Sequence, residues 1–448
     1  MKPRPPLPPG PYLVVGLARS GVAAALALRG QGHEVIGCDA GPADAPQLSQ
    51  AAGRLRAAGV EVHLDASGEA LAARARTLVK SPGVPQSAPA ILAARRRGLP
   101  VLGELELAWR LLGNEFIAVT GTNGKTTTTE WIGHIHREAA QPVAVAGNVG
   151  TALSSLIGEA GPQATVVCEC SSFQLEDAAA FSPEAAVLLN LTPDHLDRHH
   201  TYEAYVAAKL RIFANQSNDD VAVAPLGLGL TDLGGCARRV CFGSGVGAEL
   251  AQDAGHLWWD EQPLVAVGEI ALPGEHNRQN AMAAAAACLA RGLERGAVAQ
   301  GLRSFRGVPH RLEQVATIDG VTFVNDSKAT NVASTMVALR AFSGEVHLIA
   351  GGRGKSQDFA LLAPLVAARC RAVYLIGEAA GELARALEPA GVQLIDAGTL
   401  ERALAAARAR TGAGAGATVL LSPACASFDQ YPDFEARGEH FRALVEER

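Results

Sequence analysis

The chain has 448 residues, room for two or three domains, and its 48% hydrophobic content supplies cores although aromatic residues make up only 5%. Against 39 Lys+Arg stand 45 Asp+Glu, a net charge of −6 that argues against nucleic acid as the main partner, since such binding rests on clustered cations. No apolar run reaches the ~18 residues of a membrane span, and the Pro-rich start (Pro3, Pro5, Pro6, Pro8, Pro9) has no signal-peptide core.

The first segment opens with a strand, Tyr12-Leu-Val-Val, that breaks at Gly16-Leu17-Ala18-Arg19-Ser20-Gly21 into an Ala-rich helix. Glu34 to Cys38 reads as a second strand ending at Asp39. A Gly-rich turn followed about twenty positions on by an acidic residue resembles a dinucleotide fingerprint. Ala18, however, stands where a middle Gly would let a pyrophosphate approach. The turn is therefore either a nucleotide or sugar-phosphate site or a plain β-α-β connection. Thr77 to Ser81, with the turn Ser81-Pro82-Gly83, ends another strand at the edge where such sites form. Arg95-Arg96-Arg97, the one notable basic run, reads as a solvated helix end.

The second segment carries the most informative stretch. Phe116 to Val119 is a short apolar strand, Gly121-Thr122-Asn123-Gly124 a Gly-rich turn, and Lys125-Thr126-Thr127 the start of a helix. Such a turn aims successive N–H groups at one anion, and the helix N-terminus adds partial positive charge. Lys125 can reach terminal phosphates and Thr126 can offer a hydroxyl to Mg²⁺. The spacing departs from the strict Walker pattern, with Val119 at its first Gly. Further strands end at Val145, Glu169 and Asn190. Glu169 suits a hard cation such as Mg²⁺, or else caps the next helix. The run Asn190 to His200 holds Asp194, His195, Asp197, His199 and His200. The H-x₃-H pair His195 and His199 admits zinc, but one His assisting a second Mg²⁺ is more economical, and His199 and His200 read as exposed loop residues. Lys209, judged by helical spacing alone, is a solvated or snorkelling lysine. After Asn215 come short strands with turns, among them His256-Leu-Trp-Trp and Leu264 to Val267, and an Ala-rich helix from Asn277 follows.

The eight cysteines are scattered. Only Cys168 and Cys170 are close, and as i and i+2 on one strand they share a face with Cβ atoms too far apart for an unstrained disulfide. With no Cys or His beside them to complete a metal site, the expectation is a reduced, cytoplasmic protein.

The third segment begins near Val308. Apolar runs at Val321–Val324, Val346–Ala350, Ala372–Ile376, Gln393–Ile395 and Thr418–Leu421 alternate with helical stretches, which predicts a parallel sheet. Thr411 to Ala417 reads as a flexible loop. Three strand-end stretches read either as ligand loops or as plain polar connections: Asn325-Asp326-Ser327-Lys328-Ala-Thr330-Asn331 behind His310-Arg311-Leu-Glu313, Gly351-Gly352-Arg353-Gly354-Lys355, and Ser422 to Phe434. Asp326 can hold ribose hydroxyls and Arg311 can neutralise a transferring phosphoryl group.

Taken together, these stretches resemble the Mur ligases over nearly the whole chain. The carriers are Gly121 to Thr127, Gly147-Asn148-Val-Gly150, Glu169-Cys-Ser-Ser-Phe-Gln-Leu-Glu176, Asn190 to Asp197, Ala207-Ala-Lys209, His276 to Asn280, His310 to Glu313, Asn325 to Asn331 and Ser422 to Phe434. Ser-Ser-Phe-Gln-Leu-Glu and Ser-Pro-Ala-Cys-Ala-Ser point to the branch that adds D-glutamate, and the Asp-Asn-Pro-Arg motif of the diaminopimelate- or lysine-adding branch is absent. The resemblance implies an α/β fold in three domains: a Rossmann-like N-terminal domain for a UDP substrate (1–102), a central P-loop ATPase-like domain (103–307) and a C-terminal Rossmann-like domain for the amino acid (308–448). It implies ATP-driven amide formation through an acyl phosphate, with UDP-N-acetylmuramoyl-L-alanine and D-glutamate as partners, two Mg²⁺ ions and a monomeric enzyme. Lys125 and Thr126 would hold phosphate and metal, Glu169 and His195 would serve the metals, and Asn148 would lie near substrate and metal. Asn280, Arg311 and Asp326 would contact the nucleotide. Lys209 would be carbamylated, replacing the solvated reading. Ser20, Asp39 and Ser81 fall at UDP-substrate positions, and Thr330, Lys355, Ser427 and Phe434 would frame D-glutamate. Arg353 stands where an acidic residue can occur in relatives, and Ala40-Gly41 after Asp39 leaves fewer side chains for the uracil or pyrophosphate.

Overall fold

The computed structural model describes residues 2–447 apart from Val149, Leu230, Thr231, Pro273, Ser343, Lys355, Ser356 and 412–415, and only the backbone of Asp197. It divides into two compact units, one up to Phe305 and one from Arg306. Both are built from short, mostly buried runs of β-branched and aliphatic residues that form mainly parallel strands with helices between them.

The first unit contains two sheets. Strands β1 (Tyr12–Val15), β2 (Val35–Cys38), β3 (Glu61–His63), β4 (Thr77–Lys80) and β5 (Val101–Gly103) form a parallel sheet in the order β3-β2-β1-β4-β5. β1 pairs with β2 on one side and β4 on the other, so the chain direction across the sheet reverses at its carboxyl end, where ligands of such sheets bind. The second sheet has nine strands: β6 (Phe116–Thr120), β7 (Val143–Gly147), β8 (Thr165–Glu169), β9 (Ala185–Leu188), β10 (Val221–Pro225), β11 (Arg238–Gly243), β12 (Leu250–Asp253), β13 (His256–Trp259) and β14 (Gln262–Ala266). Its order, β14-β13-β12-β11-β10-β9-β6-β8-β7, places β6 between β8 and β9, with Val119 opposite both Glu169 and Val187. Three strands of this sheet end together beside the turn that follows β6. The helix Lys125–Glu138 that follows packs on the helix Glu275–Ala290, whose residues Asn280 to Leu289 are all buried. Past Asn280 the alanines all round that helix leave no polar face and let neighbours close in on every side.

In the second unit, β15 (Glu313–Ile318) and β16 (Val321–Asn325) form an antiparallel hairpin that joins a parallel set, β17 (Val346–Gly351), β18 (Cys370–Ile376), β19 (Gln393–Gly398) and β20 (Thr418–Leu421). The order is β15-β16-β20-β17-β18-β19, and apolar clusters cover both faces.

All five apolar runs expected in this segment are strands, as is the stretch from Val35 to Cys38. β3, β5 and β15 had no expectation attached, β10 to β12 fall among the short strands expected after Asn215, and β7 runs on to Gly147 beyond Val145. The loop expected from Thr411 to Ala417 lies mostly outside the described residues. All eight cysteines are free thiols: Cys236 is exposed, Cys241 half-buried and the other six buried. The Sγ atoms of Cys168 and Cys170 are 3.7 Å apart. Among the described residues no helix is long and apolar enough to cross a membrane.

Candidate active site

The turn between β6 and its helix is held open by glycine geometry. Gly124, at φ +86°, approaches Asn280 so closely that a Cβ there would lie 2.2 Å from the Asn280 Oδ1. Asn190, just past β9, braces the turn: its Oδ1 accepts from the N–H of Thr122 at 3.1 Å and of Asn123 at 2.9 Å. The Lys125 ammonium arches back to the carbonyls of Gly121 (3.0 Å) and Thr122 (2.9 Å). Thr127 lies half-buried in the first turn of the helix.

At the end of β8 the Glu169 carboxylate is buried, 3% exposed, and faces this turn. Thr126 Oγ1 donates to its Oε2 at 2.7 Å, and Asn148 Nδ2 to its Oε1 at 3.2 Å. The helix-cap alternative for Glu169 is overturned. Ser171 caps the helix Ser172–Leu175, through a capping box with Gln174, and leaves the Glu169 carboxylate for Thr126 and Asn148. Gly147 makes this junction possible, since a Cβ there would lie 2.3 Å from the Glu169 carbonyl oxygen.

Lys209 is not the solvated side chain that its spacing predicts. It is 2% exposed, donates to the Gly121 carbonyl at 2.8 Å and lies 4.7 Å from the centre of the Tyr205 ring. Burial, followed by the positive charge of Lys125, lowers its ammonium to about 7. Tyr205 in turn hydrogen-bonds Thr122 Oγ1 at 2.8 Å, so one helix supplies two supports for the Gly-rich turn after β6.

His195 sits in left-handed backbone (φ +51°), about half exposed, 3.6 Å from the Asp194 carboxylate and against the Phe173 ring. His200 is exposed as expected, whereas His199 is buried. The His199 ring lies between Ser172 Oγ (3.0 Å) and Glu176 (3.2 Å), stacked on Phe173. With both its nitrogens engaged, and with no cluster of three or more His, Cys, Asp or Glu among the described residues, the zinc alternative loses its ligands.

At the switch point of the first sheet a cavity of ≈ 380 Å³ is lined by Gly16, Ala18, Ser20, Asp39, Ser81 and Asn148 among others. Asp39 organises its floor: its carboxylate accepts from the N–H of Leu17 at 2.6 Å and of Gly41 at 2.8 Å, while Ser81 Oγ donates to the Gly16 carbonyl at 2.7 Å. Gly21 is required by contact, as a Cβ would stand 1.8 Å from that carbonyl oxygen. Arg19 reaches the Asn148 carbonyl at 3.3 Å.

In the second unit the expected residues gather on loops at the ends of β16, β17 and β20. Asp326, 5% exposed, accepts from Ser422 Oγ at 2.7 Å and from the Leu312 N–H at 3.1 Å, and burial pushes its carboxyl up to about 7. Arg311 is adjacent in charge to Asp326. Ser427 is buried and Thr330 and Phe434 half-buried. Lys355 lies outside the described residues. Arg353 makes a two-point pair with Glu378, at 3.1 and 3.2 Å. Sequence reasoning missed Arg437, buried at 1% exposure, which binds the hydroxyl (3.0 Å) and carbonyl (2.9 Å) of Ser327 and the Cys425 carbonyl (3.2 Å). It ties the loop bearing Thr330 to the loop bearing Ser427. Asn190 and Gln174 stand inside quoted motifs without a role, and Tyr205, one turn before Lys209, has none either.

Residues 119–231 match a family model described as the Mur ligase middle domain, and 310–425 one described as the Mur ligase, glutamate ligase domain. Curated relatives from Acidobacterium capsulatum and Myxococcus xanthus are 43% and 44% identical, each over 97% of this chain and over 95% and 97% of their own. The chain belongs to the Mur ligase family. Both relatives are named UDP-N-acetylmuramoylalanine--D-glutamate ligase. Among solved structures, UDP-N-acetylmuramate-alanine ligase MurC from Thermotoga maritima aligns with a TM-score of 0.56 at 19% identity, over 98% of this chain and 99% of that one. MurF ligase from Thermotoga maritima in complex with ADP aligns at 0.56 and 16% identity, over 93% and 96%. At these identities the likeness is one of fold.

Proposed function

We propose that this chain is an ATP-dependent ligase that joins D-glutamate to UDP-N-acetylmuramoyl-L-alanine through an acyl phosphate, in cytoplasmic peptidoglycan precursor synthesis. The observation that carries the reading is the Thr126–Glu169–Asn148 cluster beside a phosphate-type turn with a buried, easily deprotonated lysine, Lys209, behind it. The 43–44% identical relatives supply the amino acid.

The oxygen-rich donor set of Glu169 and Thr126, each with lone pairs to spare, fits a hard divalent cation. Mg²⁺ at Thr126 and Glu169, and a second ion at His195 and carbamylated Lys209, would screen the repulsion between a carboxylate and the γ-phosphoryl group of ATP. Around them this chain does the rest. Gly121 to Thr127 present backbone N–H groups and the Lys125 charge to the phosphates, while Asn280, Arg311 and Asp326 are assigned to the nucleotide. Asn148 orients the reacting carboxyl end of the UDP substrate, whose nucleotide end takes the cavity formed by Ser20, Asp39 and Ser81. Thr330, Lys355, Ser427 and Phe434 are assigned to D-glutamate, whose amine attacks the acyl phosphate and releases inorganic phosphate. This division of labour corresponds to domains at 1–102, 103–307 and 308–448, in a monomer with neither nucleic acid nor membrane as partner.

Phosphate release measured with each cosubstrate omitted in turn tests the reading. Release should require ATP, UDP-N-acetylmuramoyl-L-alanine and D-glutamate together, with D-glutamine and L-glutamate poor. Hydrolysis of ATP that ignores the UDP-sugar and the amino acid would remove it.

A further inference from the structure

Behind the first-sheet cavity lies a set of paired charges, Lys80 and Asp177 buried, Arg198 and Glu176 half-buried. Lys80, the last residue of β4, is 0% exposed. Its ammonium donates to the Val84 carbonyl at 2.9 Å and pairs with the Asp177 carboxylate at 2.8 Å. Arg198 approaches the same loop from the other side, donating to the carbonyls of Pro82 (3.1 Å) and Val84 (3.3 Å) and to Glu176 (3.3 Å). Its guanidinium lies 4.2 Å from the centre of the Phe173 ring, on which both the His195 and His199 rings rest. Gln86 adds a hydrogen bond to Asp177 at 2.8 Å. Gly103 lets the two segments meet, since a Cβ there would stand 2.8 Å from the Asp177 Cβ.

Ser81, Pro82, Gly83 and Val84 form one wall of the cavity. Two cations therefore converge on the carbonyls of that wall, and both are neutralised by neighbouring carboxylates, Glu176 and Asp177, just beyond the helix that follows Glu169. Burying a lysine and half-burying an arginine merely to pin a surface turn is costly, because each must be paired and hydrogen-bonded to offset its lost hydration. A planar guanidinium, in contrast to an ammonium, can span acceptors on two separate segments at fixed angles.

We propose that Arg198 is a positioning residue for the UDP-sugar: it fixes the 81–84 wall against the His195 segment, so that the wall and His195 share one support. This rests on reading the cavity as the UDP-sugar site. Lys80 and Asp177 complete the clamp from behind.

Steady-state kinetics of Arg198→Lys, varying each substrate in turn, with calorimetric titration of UDP-N-acetylmuramoyl-L-alanine, test the proposal. The variant keeps the charge but cannot span the Pro82 and Val84 carbonyls and Glu176 together. KM and Kd for the UDP-sugar should rise about tenfold, the scale of one lost charge-assisted hydrogen bond, while KM for ATP and D-glutamate moves less than about twofold. Glu176→Gln, which keeps the side-chain shape and loosens the hold on Arg198, should show the same split, and it decides the matter if Arg198→Lys does not fold. A parallel rise in all three KM values, or an unchanged UDP-sugar KM with only a lower kcat, would overturn the positioning role. Absence of saturable UDP-sugar binding by the wild-type enzyme would overturn the cavity reading itself.

Discussion

Replacing Lys209 by Arg keeps a cation beside the Gly121 carbonyl but removes any route to a carbamate, because CO₂ adds to a neutral amine and a guanidinium stays charged. The environment of Lys209 favours the neutral form: burial and then Lys125 lower its ammonium from 10.5 to about 7. At pH 8, roughly 90% of Lys209 would carry a free amine, against about 0.3% for an unperturbed lysine, a gain of some 300-fold in reactive form. The sign follows from the proton: as pH falls through 7 the ammonium returns and the carbamate reverts. ¹³C-bicarbonate NMR with Mg²⁺ and nucleotide should therefore give a carbamate resonance at pH 8 that fades by pH 6, and initial rates should fall with it. Lys209→Arg should lack the resonance and lose roughly 10²-fold or more in turnover, the scale of a preorganised charge contact. A wild-type enzyme without the resonance at pH 8, or a folded Lys209→Arg variant within about threefold of wild-type rate, would refute the reasoning, since that is far below this scale.

Lys125→Ala should lower kcat by roughly 10²-fold in phosphate-release assays while the protein remains folded by circular dichroism. Gly124→Ala forces a Cβ to 2.2 Å from Asn280 Oδ1 in a positive-φ position, so nucleotide affinity measured by a fluorescent ATP analogue should drop at least tenfold. Asp326, raised by burial from 3.8 to about 7, holds its proton in the folded chain over a range where the unfolded chain has lost it. Its contribution to stability is thus complete below pH 3.8 and lost as pH rises through about 7, and Asp326→Asn should flatten the urea midpoint across that window.

The strand–turn–helix around Gly121 to Lys125 could be read from sequence because all of its determinants are local: an apolar strand, two glycines and a lysine that opens a helix. Asp39 and Ser81 were legible for a similar reason, since each ends a β-rich run and strand ends are where parallel sheets bind ligands. Lys209 was misread by spacing because its burial depends on the Gly121 carbonyl and on Tyr205 packing at Thr122, contacts that helical periodicity does not encode. The role proposed for it rests on the resemblance alone. His199 failed likewise: a polar run looks solvated until Ser172, Glu176 and Phe173 close around it. β10 to β12 were foreseen only as short strands after Asn215, without bounds, because their places come from pairing in succession, β10 onto β9, β11 onto β10 and β12 onto β11, rather than from their own propensity. Arg198 and Lys80 were invisible because nothing in a sequence says which carbonyl a cation will meet.

The distribution of thiols has a practical consequence. Cys38 and Cys370 are pushed up to about 12 by burial, and Cys168, Cys170, Cys288 and Cys425 are likewise enclosed, so Cys236 alone is openly exposed to an alkylating reagent. A brief maleimide pulse on the native protein should add mainly one label, with Cys241 following slowly, whereas the denatured chain offers all eight. Label number in a mass spectrum then becomes a built-in gauge of opening, able to register partial unfolding of either unit with no introduced probe.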